Sequence, residues 1–193
     1  TPLAKQNCKG ITALQLMAQS GCEALIDHVL TNCKDRHPWL FLDSQRRTLL
    51  HHVLLGLKRY PPAINSDSAL RCVQILLKKE ISPTLPDKFR QLPLHLAARL
   101  GAVSITRLLL THAPDTANVT DANGRIALHL FLAGGAADSP DTLRLFLEHT
   151  SPVNARDANG WTVLHWLAHG KKSAKYYHVI SEHLRDEEQF VNL

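Results

Sequence analysis

One short pattern recurs five times along the 193-residue chain, and it limits the fold more than any other feature. It reads Gly10-Ile11-Thr12-Ala13-Leu14-Gln15, then Arg46-Arg47-Thr48-Leu49-Leu50-His51, then Arg90-Gln91-Leu92-Pro93-Leu94-His95. Gly124-Arg125-Ile126-Ala127-Leu128-His129 and Gly160-Trp161-Thr162-Val163-Leu164-His165 complete the series. The closing residues, at 15, 51, 95, 129 and 165, stand 36, 44, 34 and 36 positions apart. A period of this size marks stacked supersecondary units, none of which can bury its apolar face alone.

The uneven spacings come from local insertions. After His95 the chain runs through Leu96-Ala97-Ala98-Arg99-Leu100-Gly101 to a Leu108-Leu109-Leu110 triplet that begins 13 residues on. The matching Ile75-Leu76-Leu77 begins 24 residues after His51, an excess of 11 between two helices, which returns the spacing of 44 to 33. Leu145-Phe146-Leu147 begins 16 residues after His129, an excess of 3, and 36 again becomes 33. Val29-Leu30 keeps the ordinary spacing, so the first copy's extra residues lie between Thr31 and Asp43.

These five versions of Gly-x-Thr-Pro-Leu-His resemble the ankyrin repeat family over nearly the whole chain, most closely from Asp87 to Leu110. Asn118-Val119-Thr120-Asp121 and Asn154-Ala155-Arg156-Asp157 resemble the family's Asn-Ala-x-Asp hairpin. Leu3-Ala4-Lys5-Gln6-Asn7 resembles the tail of such a hairpin and Phe190-Val191-Asn192-Leu193 the start of another, so the chain is expected to be a fragment of a longer array. The resemblance implies an all-α ankyrin solenoid of about five helix-turn-helix repeats joined by hairpin-like loops. It would be a single domain over 1–193, with repeats near 7–39, 43–86, 87–120, 121–156 and 157–193.

Physical chemistry explains the pattern. Threonine before the first helix caps free backbone N–H groups, and Thr12 with Gln15 has capping-box spacing. Pro93 suits the first helical position, where its missing N–H goes unmissed. In the family the histidine is a structural hydrogen-bonder that ties the helix start to neighbouring backbone. Departures are expected to weaken packing: Leu92 and Ile126 replace Thr, Arg46 and Arg90 replace Gly, and His52-Val53-Leu54 and Trp166-Leu167 are bulky.

Composition agrees. Apolar residues are 45% and aromatic residues only 6%, as in a Leu-rich helical protein. The net charge of +5 is dispersed rather than gathered into an aromatic-interleaved stripe, so no nucleic acid is expected as a partner. Nor is a membrane segment, since no apolar run reaches the ~18 residues a span requires. Cys8, Cys22, Cys33 and Cys72 form no Cys-x-x-Cys pair and read as small apolar residues in a reducing, cytoplasmic setting. That setting would be a host cell's cytoplasm if the chain is a secreted effector, with the nucleus left open.

The twelve histidines suggest catalysis only until the register is seen. His51, His95, His129 and His165 mark repeats, while His112 and His149 follow second helices and suit helix C-termini. His165-x-x-x-His169 has zinc spacing but lacks the Glu of His-Glu-x-x-His and a third ligand. No catalytic residue, metal or cofactor is expected, and the chain is expected not to be an enzyme.

What the fold does not require is the better guide to function. Lys88, Phe89, Ala122, Asn123, Arg125, Ala158, Asn159 and Trp161 fall on hairpin tips, which in ankyrin proteins form a binding surface with the first-helix face. Arg99, Arg125, Arg156 and Trp161 lead the expected contacts with a partner protein. Trp161 would serve either as a hot spot or as packing on a neighbouring loop. Lys58, Arg59 and Tyr60 lie in the 56–66 insertion, read as a proline-bearing loop that is either mobile or a further contact. Trp39-Leu40-Phe41-Leu42 is expected to pack over the stack. Asn118 and Asn154 resemble the family's hydroxylated asparagine, although bonding within their own turns explains their presence better. The expected function is that of a monomeric protein–protein interaction scaffold. The alternative is a substrate-recruiting region of a multidomain enzyme or of a host-directed virulence effector.

Overall fold

Apolar residues at helical spacing, ended by glycine and started by hydroxyl or proline, produce short helices in pairs. The computed structural model describes residues 5–8, 10–32, 42–59, 66–134, 139–150, 155–170 and 176–183. The helices are α1 (Ala13–Ser20), α2 (Glu23–Asn32), α3 (Leu49–Arg59), α4 (Ser66–Lys78), α5 (Pro93–Leu100), α6 (Val103–His112), α7 (Ala127–Ala133), α8 (Pro140–His149) and α9 (Val163–His169). Residues 176–183 are also helical, and Pro114–Asn118 forms a 3-10 turn. Among the described residues there is no strand beyond an isolated Gln6–Thr12 bridge, so the class is all-α as expected.

The chain forms two compact units, 1–96 and 97–193, divided within α5. In the first, α1 packs on α3 and α2 on α4, helices of the same register stacking on each other. Leu14, Ile26, Leu50, Leu54, Val73 and Leu76 are buried between them. Thr12 and Gln15 form the expected capping box: the Gln15 N–H reaches Thr12 Oγ1 at 3.2 Å and the Thr12 N–H reaches Gln15 Oε1 at 2.8 Å. Gly21 ends α1 in the left-handed region at φ 70°.

In the second unit α7 packs on α9 and α6 on α8. Phe131 meets Phe146 at 5.4 Å and Tyr176 at 6.1 Å between ring centres. The fully buried Tyr176 accepts the Ser139 N–H at 2.6 Å, so an aromatic residue also anchors the start of α8.

Two expectations need correction. The insertion is not a loop from Gly56 to Ser66, because α3 continues to Arg59 and α4 begins at Ser66. Leu57, Lys58 and Arg59 are good helix formers that carry the helix past Gly56, and the basic pair suits a helix C-terminus. Asn118 does not bond only its own turn: its amide donates to the His149 carbonyl at 3.0 Å, at the end of α8. Trp39, Leu40, Phe41, Tyr60, Asn154 and the segment 190–193 lie outside the described residues.

Candidate protein-binding surface

Each tip preceding a first helix is the same five-residue turn built on one side chain. Asp43 Oδ1 accepts the N–H groups of Gln45 (2.8 Å) and Arg47 (2.9 Å), while its carbonyl accepts the Arg46 N–H at 2.8 Å. Asp87 does the same for Phe89 and Gln91 at 2.8 Å each. Asp121 holds Asn123 (2.8 Å) and Arg125 (3.0 Å), and Asp157 holds Asn159 (2.8 Å) and Trp161 (2.9 Å). Asn7 stands at the same place in the first copy, and its Oδ1 accepts the Ile11 N–H at 3.0 Å. Charge-assisted bonds of this kind are among the stronger ones in a protein.

The second carboxylate oxygen varies. Asp43 Oδ2 takes Arg47 Nε at 2.8 Å, and Asp121 Oδ2 takes Arg125 Nε and Nη2 at 3.0 and 2.7 Å. Asp157 Oδ2 instead accepts the indole N–H of Trp166 at 3.0 Å. Burial opposes the charged form of Asp43, Asp121 and Asp157, but the backbone and side-chain donors outweigh it and hold each carboxyl below its usual pKa.

The turn forces its fourth residue into the left-handed region: Gly10, Arg46, Arg90, Gly124 and Gly160 have φ of 68°, 60°, 58°, 70° and 77°. Within each unit one pair of successive tips is also joined directly. Lys88 N–H donates to Gln45 O at 2.8 Å, and Ala158 N–H to Asn123 O at 2.9 Å.

The register histidines stand behind the tips. His51 Nδ1 accepts the Thr48 N–H at 3.2 Å and sits 2.9 Å from the Thr48 hydroxyl. With Nδ1 an acceptor, the ring proton belongs on Nε2, which donates to Gln91 O at 2.9 Å. His129 repeats this between Ile126 N–H (3.3 Å) and Ala155 O (3.2 Å). Burial lowers the pKa of both rings, which keeps them neutral as the two-sided bonding requires. His95 Nδ1 likewise accepts the Leu92 N–H at 3.1 Å, so Leu92 and Ile126 lack a hydroxyl cap but not a cap.

The carboxylates were not singled out as site residues from the sequence, yet a signal was there. Asn7, Asp43, Asp87, Asp121 and Asp157 each lie eight residues before the register position.

The structure exposes Lys88, Asn123, Asn159, Ala122 and Ala158 on the tips, and Phe89 is 56% exposed. Arg125, half-buried, is engaged with Asp121. The exposed Arg156 donates to Gly160 O at 3.2 Å. Trp161 packs on its own repeat, with ring centres 5.3 Å from Trp166 and 5.4 Å from His169. Arg99 lies half-buried near the end of α5, on a helix rather than a tip. Lys58 and Arg59 are exposed at the end of α3. His165 Nδ1 is taken up by Thr162, at 3.3 Å to its N–H and 2.8 Å to its hydroxyl. Among the described residues no three His, Cys, Asp or Glu side chains converge as metal ligands, and no helix is long and apolar enough to cross a membrane.

Paired helices in register, histidine-locked helix starts and Asx-built tips define a helix-pair repeat protein. The chain belongs to the ankyrin repeat family, whose three-copy profile matches residues 63–131 and 94–177. Similar proteins include Inversin of Canis lupus familiaris, 30% identical over 102 residues (52% of this chain and 9% of that protein). Inversin of Mus musculus is 28% identical over 130 residues, 67% of this chain and 11% of that protein. The chain thus spans about a tenth of the length of these relatives. Ankyrin repeats are in general protein–protein interaction modules, and the repeats themselves are non-catalytic.

Proposed function

We propose that the chain is a scaffold that binds a partner protein through its tips and first-helix face. The observation that carries this is a division of labour within each turn. Asp87, Asp121 and Asp157 hold the backbone, while Lys88, Phe89, Asn123 and Asn159 give the frame backbone groups and leave their side chains exposed. These four are the leading contacts. Arg125, Arg156 and Trp161 serve their turns and present their remaining surface on the tips of Asn123 and Asn159, Arg99 offers a contact on α5, and Lys58 and Arg59 offer another at the end of α3. A rigid frame lowers the entropic cost of binding, because little is left to order when the partner arrives.

A cytoplasmic setting suits this reading. Cys8, Cys22 and Cys72 are free thiols, and burial pushes the Cys72 thiol up to about 11, leaving it inert. Cross-linking the chain to a partner captured from its own cells tests the proposal. Cross-links on tips and first helices are expected; cross-links confined to α2, α4, α6 and α8 would refute the surface assignment.

A further inference from the structure

The left-handed fourth position of the turn suits glycine, and Gly10, Gly124 and Gly160 fill it. A Cβ at Gly10 or Gly124 would come within 2.9 Å of a backbone nitrogen of the next tip, so a side chain is disfavoured by space as well as by φ. Arg46 and Arg90 nevertheless occupy this position, at φ 60° and 58°. A long cation does nothing for the turn there, since the turn uses only its N–H, at 2.8 and 3.0 Å from the Asp43 and Asp87 carbonyls. Strained non-glycine residues held by a well-determined frame point toward function.

Their neighbours point the same way. The bond from Lys88 N–H to Gln45 O puts these two tips side by side within one compact unit. Arg46, Lys88 and Arg90 are all exposed. Among the described residues none of the three is ion-paired, whereas Arg47, Arg71, Arg125 and Arg144 each pair with a carboxylate. The carboxylates of this pair of tips, Asp43 and Asp87, are buried and bound to their own turns, Asp43 also to Arg47. Phe89 stands exposed between Lys88 and Arg90.

We propose that Arg46, Lys88 and Arg90, together with the exposed Phe89 that lies between the last two in the chain, form a docking site for an acidic protein segment bearing an apolar residue. The cations would meet its carboxylates and Phe89 its apolar side chain, with charge steering the approach. One aromatic ring among three cations suits a peptide better than nucleic acid, where several stacking rings would be expected. This deepens the tip-binding reading and rests on it.

The test uses the full chain and a fluorescent peptide of repeated Glu-Glu-Leu, read by anisotropy at low and physiological salt. Binding is expected, weakening as salt rises. The double variant R46G/R90G is expected to bind about tenfold more weakly or worse, yet to melt no lower than the parent, because glycine relieves the turn. F89A is expected to weaken the Glu-Glu-Leu peptide and leave an all-Glu peptide unchanged. Unchanged binding by R46G/R90G would overturn the proposal, as would a lower melting temperature, which would make the arginines structural. Tighter binding of single-stranded DNA of equal charge, lost in the same variant, would also overturn it. A partner cross-linked only to the tips at Asn123 and Asn159 would overturn this site but keep the tip reading; one cross-linked only to second helices would overturn both.

Discussion

The tips before α3 and α5 and those before α7 and α9 share one frame and differ in what they carry. All four have an aspartate that gathers two backbone N–H groups and a fourth residue at positive φ. Before α7 and α9 that residue is Gly124 or Gly160, unstrained and without a side chain; before α3 and α5 it is Arg46 or Arg90. The carboxylate ladder is therefore the scaffold, and the fourth position is where the chain departs from what the scaffold prefers.

Breaking the shared frame should have the largest effect. D121A removes the acceptor of two backbone N–H groups and the partner of Arg125. It is expected to cost about 2–4 kcal/mol, because the stranded donors pay their desolvation in full. D121N keeps one acceptor oxygen and should cost less. Urea melts, with hydrogen exchange at Asn123 and Arg125 to localise the loss, would check both. H51A belongs in the same class, at ~2–3 kcal/mol, since it unties a buried helix start and a neighbouring tip at once. H165A, on an exposed ring, should cost less than half of that.

Acid should strike the first unit through His52. This fully buried ring sits 3.2 Å from Asp43 Oδ2, out of line for a hydrogen bond, with Arg47 and His51 also facing it. Burial lowers its pKa to about 4 despite Asp43. The unfolded chain then binds the proton more readily than the folded one. Stability is complete above pH ~6.5 and falls by up to about 3 kcal/mol as pH drops toward 4. The buried His51 adds to the same slope. Asp43, held below its usual pKa, acts only lower, losing its contribution below pH ~4. H52L copies the leucine found at the matching positions, Leu96 and Leu130, and should flatten the loss between pH 6.5 and 4.5 in urea melts.

Exchanging the fourth residues tests the comparison itself. G124R places a side chain against the Ala158 nitrogen at positive φ and is expected to cost about 1–3 kcal/mol. R46G should do the reverse and stabilise by ~1 kcal/mol or less. Opposite signs in thermal melts would sharpen the contrast; equal signs would dissolve it.

Much of this was legible in the sequence, for reasons that can be named. The register histidines could be read because one residue type recurs at one place in every unit. The insertion could be located but not shaped, since Pro61-Pro62 marks a break without saying how far α3 runs before it. Arg125 and Trp161 were legible as tip residues, but not their engagement. Arg125 spends its guanidinium on the residue four before it, and Trp161 turns onto a helix whose orientation only packing fixes. The link from Trp166 to Asp157 spans nine residues across a turn and a helix start, a distance no periodicity reports.

The central claim is that the exposed tip side chains meet the partner while the buried carboxylates only hold them in place. A photo-cross-linking residue at position 89, on a tip, compared with one at position 107, exposed on α6, tests this most directly. Ultraviolet capture of the partner at 89 and not at 107 is predicted. Capture at 107 with none at 89 would contradict the account.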